Sequence, residues 1–139
     1  MKLFKSKLAN RLAISKTIGL VFGGVLFFMI PSLFGEQDLF LRFGTWAWYI
    51  TLGGIIGLMG IMDRHPAMNF AMPFWIRGLF IGAWMNFVLV LFVYDNMNTL
   101  MLGTAWEGLS PWWIVLEGAL FGIIADYFAT WAGEGKELL

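Results

Sequence analysis

Long apolar stretches alternate with short polar connections along the chain, at about residues 15–34, 43–62, 73–94 and 111–132. A helix needs about 20 mostly apolar residues to cross the hydrocarbon core of a bilayer, and each of these stretches is long enough. They leave no room for a soluble domain within the 139 residues. The pattern therefore predicts an all-α, polytopic membrane protein, a four-transmembrane-helix bundle that occupies residues 1–139 as a single domain.

The segment before the first span is basic and amphipathic. Phe4, Leu8 and Leu12 recur at helical spacing, and the lysines fall largely on other faces of the helix. This pattern predicts an amphipathic interfacial helix over residues 1–14 that lies on the bilayer surface. The alternative is the start of a signal peptide, but the following apolar stretch is long for one and has no small-residue cleavage site.

Proline and tryptophan positions support these boundaries. Pro73 and Pro111 open the third and fourth spans, where a missing N–H costs nothing, and Ser110 is a candidate N-cap. Most tryptophans begin or end a span, at the level of the bilayer interface, whereas Trp84 lies in mid-span. The connection at 94–110 is long enough for a short surface helix.

Composition agrees with a membrane protein, since 60% of the residues are hydrophobic, 13% are charged and the mean hydropathy is +0.77. A soluble domain is nearer half apolar and a quarter charged. Nine basic and nine acidic residues cancel, which argues against nucleic-acid binding. The absence of Cys excludes disulfides, thiolate zinc sites and cysteine nucleophiles.

The placement of Lys and Arg predicts the orientation. Five of the nine basic residues precede or open the first span, and only Arg42 lies in a connection on the opposite side. Because cytoplasmic loops carry the excess of positive charge, both termini are expected to be cytoplasmic. A bacterial inner membrane is the expected location.

Each span contains two glycines separated by one helical turn, a G-x-x-x-G pair. Such a pair forms a flat groove that lets another helix approach closely in lipid. These glycines are predicted helix-packing residues, with partners in the same chain or in another: Gly19 and Gly23, Gly53 and Gly57, Gly78 and Gly82, Gly118 and Gly122.

Four polar residues lie inside the third and fourth spans and are the candidates for transport chemistry, because charges in hydrocarbon pair or line water. Depth suggests two bridges, Arg77 with Asp126 and Asn86 with Glu117. Nine residues separate the two polar groups of each span, which turns the second by about 180° from the first. Both bridges therefore cannot form across one helix pair, and at least one group is expected to face another span, another subunit or water. Arg77 could instead snorkel to the headgroups.

The third and fourth spans also echo each other. Arg77-Gly78-x3-Gly82-x3-Asn86 matches Glu117-Gly118-x3-Gly122-x3-Asp126, 40 residues later. Adjacent spans run in opposite directions, so the echo could be an inverted repeat of the kind found in some transporters. Chance similarity is the alternative.

Methionines surround the only histidine in the second connection. Thioethers with an imidazole suit Cu(I), which makes Met62, His65 and Met68 weak metal candidates. A capping or headgroup-contacting role for His65 is the simpler interpretation, and no metal site or other cofactor is implied. Known catalytic motifs are absent, so no catalytic residue is predicted and an enzyme is the less favoured class.

Two functions fit this sequence. The first is a non-catalytic accessory subunit of a homo-oligomer or larger membrane complex, favoured by the short loops and packing motifs. The second is a small oligomeric transporter or ion channel that uses Glu117 with Asn86 or Asp126. Beyond the lipid bilayer, the expected partners are copies of the chain or other membrane subunits, and no nucleic acid.

Overall fold

A computed structural model describes residues 4–62 and 64–133. Within these ranges the chain forms long α-helices and no strand, in agreement with the predicted all-α bundle. The helices are α1 (Lys7–Phe34), α2 (Leu39–Met59), α3 (Phe74–Met101) and α4 (Trp113–Gly133). All are long and apolar enough to cross a membrane, which confirms an integral membrane protein with four candidate spans.

The start of α1 differs from the sequence prediction. Residues 7–14, expected to belong to an interfacial helix over 1–14, continue directly into the first span as one helix of 28 residues. Residues 1–3 of that predicted helix lie outside the described residues. Nothing between Ser6 and Pro31 interrupts the helical hydrogen bonds, and Asn10 and Arg11 are buried against the bundle. From the sequence alone, a charged residue this close to a span is assigned to the bilayer interface, because its partner in the folded bundle is not known.

Side-chain caps and a glycine set the ends of the first hairpin. Ser6 accepts a hydrogen bond from Ala9 N at 2.9 Å and begins α1, and Asp38 accepts from Leu41 N at 2.9 Å and begins α2. Both are preferred N-cap residues. Gly35 ends α1 with φ +80°, a left-handed conformation that costs glycine little.

The end of α3 also differs from the prediction. The helix continues past Tyr94, into the connection that had room for a short surface helix, and ends at Met101. No Gly or Pro occurs between Tyr94 and Gly103 to end it earlier. Turns then lead to Ser110, whose hydroxyl accepts from Trp112 N at 3.3 Å just before α4. At 28 residues, α3 is about 42 Å long and exceeds the hydrocarbon thickness of about 30 Å.

The helices pack as two hairpins, α1 on α2 and α3 on α4, joined mainly through α1 and α4. We call the end that carries the starts of α1 and α3 and the ends of α2 and α4 the terminal end. The opposite end, with the connections at 35–38 and 102–112, is the loop end. Between them lies a core of Tyr49, Leu52, Ile56, Phe121 and Ala125.

Glycines lie where the helices approach most closely. In α3 and α4 the contact is reciprocal: Gly78 faces the backbone of Gly122, and Gly82 faces that of Gly118. A Cβ at any of these positions would overlap the opposite carbonyl oxygen. In the first hairpin, Gly19 lies against the backbone of Tyr49, Gly23 against Trp46, and Gly53 and Gly57 against Ser15.

Candidate functional site

Two guanidinium groups share one carboxylate inside the terminal end of the bundle. Arg11 Nη2 of α1 lies 2.6 Å from Asp126 Oδ1 of α4. Arg77 of α3 donates from Nε to Oδ2 at 2.7 Å and from Nη2 to Oδ1 at 2.8 Å. The Asp126 side chain is completely buried, and those of Arg11 and Arg77 are 1% and 5% exposed. We call Arg11, Arg77, Asp126 and Thr130 the arginine cluster.

Neutral acceptors complete the arginine cluster. The Thr130 hydroxyl accepts from Arg11 Nη1 at 2.9 Å and from Arg77 Nη2 at 3.3 Å. Arg11 Nε also donates to Gly57 O at 3.1 Å, and Arg77 Nη1 to Met62 O at 3.0 Å. These bonds matter because a buried charge is tolerated only when its hydrogen-bonding groups are satisfied. The cluster therefore ties α1, α3 and α4 together and reaches the end of α2.

Sequence reasoning missed Arg11 in this cluster. A Cβ on Gly60 would overlap the Arg11 guanidinium, and one on Gly133 would lie 2.8 Å from Arg11 Cγ, so both glycines make room for it. A signal was present in the chain. Arg11 precedes Gly19 by eight residues, with Ser15 between them, so all three lie on one stripe of the helix.

The predicted bridge between Arg77 and Asp126 forms, and the snorkelling alternative for Arg77 is wrong, because its guanidinium points to the carboxylate and is buried. With every polar group of Asp126 engaged by arginines and Thr130, the arginine cluster acts as a structural brace. Arg77 and Asp126 are poor candidates for binding a mobile ion, since any such ion would have to displace these contacts.

A second polar group lies nearer the loop end, centred on a residue that the sequence did not single out. The Tyr49 hydroxyl of α2 donates to Glu117 Oε1 at 2.6 Å and accepts from Asn86 Nδ2 at 3.3 Å. Asn86 also donates to Ile114 O at 2.9 Å, and its Oδ1 accepts from Trp48 Nε1 at 2.9 Å. We call Trp48, Tyr49, Asn86 and Glu117 the tyrosine network.

The second predicted bridge is thus indirect. Asn86 and Glu117 do not hydrogen-bond to each other, and Tyr49 stands between them. The rotation argument explains the difference, because Glu117 turns toward α2 when Asp126 turns toward α3 and α1. The groups expected to seek another span, subunit or water find partners in α1 and α2. These four residues therefore need no second subunit to provide their partners.

Glu117 differs from the other embedded polar residues. Only Oε1 receives a hydrogen bond from the described part of the chain, and Oε2 receives none. Both ion pairs found in residues 4–62 and 64–133 involve Asp126, so Glu117 has no basic side chain as a counter-ion there. Among the four predicted transport candidates, Glu117 is therefore the one with a carboxylate oxygen that accepts no hydrogen bond from the described residues.

The weak metal candidates lie in the connection between α2 and α3, where the backbone holds the His65 ring. Its Nδ1 accepts hydrogen bonds from the backbone N–H groups of Ala67 at 3.2 Å and Met68 at 3.0 Å, and its ring stacks on Phe70. The Met68 side chain is largely exposed. In the ranges that the structure covers, no three His, Asp or Glu side chains are grouped as a metal site.

The polar residues inside the bundle thus form two groups. In the arginine cluster the charges are paired, and in the tyrosine network one carboxylate oxygen of Glu117 accepts no hydrogen bond from the described residues. Comparison of the chain with protein-family models, with curated proteins and with solved structures finds no match.

Proposed function

We propose that this protein is a non-catalytic accessory subunit of a homo-oligomer or larger membrane complex, located in a bacterial inner membrane with both termini cytoplasmic. The observation that carries the proposal is Trp84. It lies near the middle of the third span, 64% exposed, where hydrocarbon would surround it in an isolated bundle. No described residue accepts its indole N–H.

The chemistry of that position favours a protein neighbour. An unpaired polar group in hydrocarbon costs free energy, and lipid tails offer no acceptor. Tryptophan usually settles at the bilayer interface, where its N–H reaches water or headgroups. A helix of a neighbouring subunit could provide both the acceptor and a surface for the ring.

An outer aromatic stripe extends this surface. Trp84 stacks on Phe87 with centroids 5.6 Å apart, Phe87 on Trp112 at 5.5 Å, and Trp112 contacts Tyr94 at 5.8 Å. We call these four residues the aromatic stripe. It runs from the middle of α3 to the start of α4 and presents rigid rings, which contribute large contact areas at protein interfaces.

Site-directed cross-linking tests this proposal cleanly, because the chain contains no cysteine. A Phe80→Cys variant places a single thiol one turn from Trp84, on a side chain that is 64% exposed. A Val21→Cys variant places a matched thiol on the lipid-facing side of α1, where the side chain is 57% exposed. We expect a thiol-reactive bifunctional reagent, applied to native membranes, to cross-link position 80 to a second polypeptide and to cross-link position 21 rarely. A protein that is monomeric in mild detergent and forms no adduct at position 80 would contradict the proposal.

The second candidate is the small oligomeric transporter or ion channel, favoured by the free carboxylate oxygen of Glu117 within the bundle. Purified protein in liposomes would then move protons or cations, and Glu117→Gln would abolish the flux. A lack of flux for every ion tested with the unmodified protein would count against this function. It would leave the subunit proposal intact.

A further inference from the structure

Arg42, at the start of α2, supplies a hydrogen bond that α1 lacks. Pro31 lies inside α1 and has no N–H, so it cannot donate to the carbonyl oxygen of Phe27, four residues earlier. Arg42 Nε donates to this oxygen at 2.8 Å. The contact joins the two helices of the first hairpin near the loop end, and it fixes one edge of the guanidinium group.

The Phe27 ring holds the same guanidinium group from one face. Arg42 Cζ lies 4.2 Å from the ring centroid, within the range of a cation–π interaction. Phe27 packs in turn against Phe28, Phe43 and Trp46, with ring centroids between 4.9 and 5.4 Å apart. Because the guanidinium is held in place before a ligand arrives, binding would order little of the side chain, which favours affinity.

The other edge of the guanidinium group has open donors. Neither Nη1 nor Nη2 of Arg42 donates to a described residue. Both ion pairs found in residues 4–62 and 64–133 are made by Asp126, so Arg42 has no acidic partner there. Within the same ranges Arg42 is also the only Lys or Arg at the loop end. An isolated positive charge with two open nitrogens is thus available to an anion.

The depth of Arg42 in the membrane indicates what that anion is. With 21 residues α2 is about 32 Å long, close to the hydrocarbon thickness of about 30 Å, so its first turn lies near the headgroups. The phosphate groups of phospholipids lie at this level. Arg42 is half-buried, and Phe28 and Phe43, whose rings contact Phe27, are exposed on the outside of the bundle. The open donors therefore lie beside an apolar surface that faces lipid.

We propose that Arg42 binds the phosphate group of a phospholipid in the leaflet at the loop end, with Phe28 and Phe43 against its acyl chain. Guanidinium and phosphate groups form paired, charge-assisted hydrogen bonds, which would use the open nitrogens of Arg42. The lipid reaches Arg42 directly from the bilayer and needs no path into the bundle. The site does not rest on the subunit function, since a subunit and a transporter are both surrounded by lipid.

Native mass spectrometry of the full-length protein in mild detergent tests the proposal. The probe is dioctanoylphosphatidylethanolamine, because the exposed carboxylates Glu36 and Asp38 at the same end would attract its ammonium group. Dioctanoylglycerol lacks the phosphate and inorganic phosphate lacks the chains, and we expect saturable binding of the phospholipid only. Arg42→Gln should weaken this binding about tenfold or more, because it removes the charge-assisted hydrogen bonds. Lys16→Gln, which removes an exposed basic side chain of α1, should bind the phospholipid as the unmodified protein does.

Four results would overturn the site: no saturable binding of the phospholipid by the unmodified protein, equal binding of either comparison compound, undiminished binding by Arg42→Gln, or equal weakening in Lys16→Gln. The first result would favour an acidic side chain of a neighbouring subunit as the partner of Arg42.

If Arg42→Gln does not fold, Arg42→Lys provides the test. Lysine keeps the charge and a donor for the Phe27 carbonyl but loses the planar pair of donors, so phospholipid binding should weaken about threefold or more. Unchanged binding would contradict the proposed site. Cross-links at position 80 report on the subunit function separately, so either proposal can fail alone.

Discussion

Arg11 Nη2, in the second turn of α1, lies 2.6 Å from Asp126 Oδ1 in α4, across 115 residues of sequence. This contact joins the two hairpins at the terminal end, because Asp126 is simultaneously held by Arg77 of α3. A residue expected at the membrane surface is therefore part of the bundle interior. The arrangement makes the arginine cluster the first test of how this fold is held together.

Replacing the shared carboxylate should destabilise the bundle strongly. Asp126→Ala leaves two buried guanidinium groups without their anion, and removing one partner of a buried ion pair costs on the order of 3–5 kcal/mol. We expect a large fall in the thermal unfolding temperature in detergent, measured by circular dichroism. Asp95→Ala removes an exposed carboxylate near the end of α3 and should change it little. Equal effects of both substitutions would show that the arginine cluster is not a brace.

Arg11 and Lys16 should behave differently although both are basic residues of α1. Arg11→Gln loses the ion pair to Asp126, whereas Lys16→Gln changes an exposed side chain. We expect only Arg11→Gln to lower the unfolding temperature substantially, and its effect to shrink when Asp126 is already replaced by Ala. If the two effects simply add, Arg11 and Asp126 do not interact in the membrane.

The close approach of α3 and α4 gives a steric prediction. Gly82→Ala would place a methyl group on the Gly118 carbonyl oxygen, and overpacking costs about 1–3 kcal/mol. Gly44→Ala is the matched control in α2, since a Cβ there meets nothing within 4 Å. Denaturation in detergent should show Gly82→Ala less stable and Gly44→Ala as stable as, or more stable than, the unmodified protein. Unaffected stability of Gly82→Ala would mean that the helices lie further apart.

Tyr49→Phe should separate the two halves of the tyrosine network. It removes the hydroxyl that donates to Glu117 and accepts from Asn86, and unsatisfied buried groups cost about 1–3 kcal/mol. Tyr94→Phe removes a hydroxyl that makes no hydrogen bond within the described chain. The thermal unfolding temperature should therefore fall in Tyr49→Phe and stay unchanged in Tyr94→Phe. A larger fall in Tyr94→Phe than in Tyr49→Phe would show that the tyrosine network does not stabilise the bundle.

The distribution of basic residues predicts which end of the bundle faces the cytoplasm. Among the described residues, the basic side chains of the terminal end include Lys7, Arg11, Lys16, Arg64 and Arg77, so this end should face the cytoplasm. A reporter enzyme fused after Leu139 that is active only in the cytoplasm should be active. Activity of a periplasm-specific reporter at the same position would reverse the assignment.

Much of the architecture was predictable because it depends on local sequence. Apolar length marks the four spans, and Pro73, Pro111 and Ser110 mark where α3 and α4 begin. The boundaries were less accurate where a polar residue is satisfied by a distant partner. Residues 7–14 belong to α1 because Arg11 finds Asp126, which no local pattern reveals.

The candidate site was predictable only in part. Glu117, Asn86, Asp126 and Arg77 stood out because polar groups are rare in apolar spans, and one of their two proposed bridges forms. Tyr49 did not stand out, since a tyrosine in an aromatic-rich span looks like ordinary core. Its role depends on α2 passing between Asn86 and Glu117 at the right height.

The sequence by itself determined the membrane class, the number of spans and the residues that need partners, because these follow from hydrophobicity and helical period along one dimension. Only the tertiary structure decided which partners they find: Arg11 with Arg77 at Asp126, and Tyr49 between Glu117 and Asn86. Those contacts depend on which helices are neighbours and how far a side chain reaches. They are properties of the packed bundle and not of any one segment.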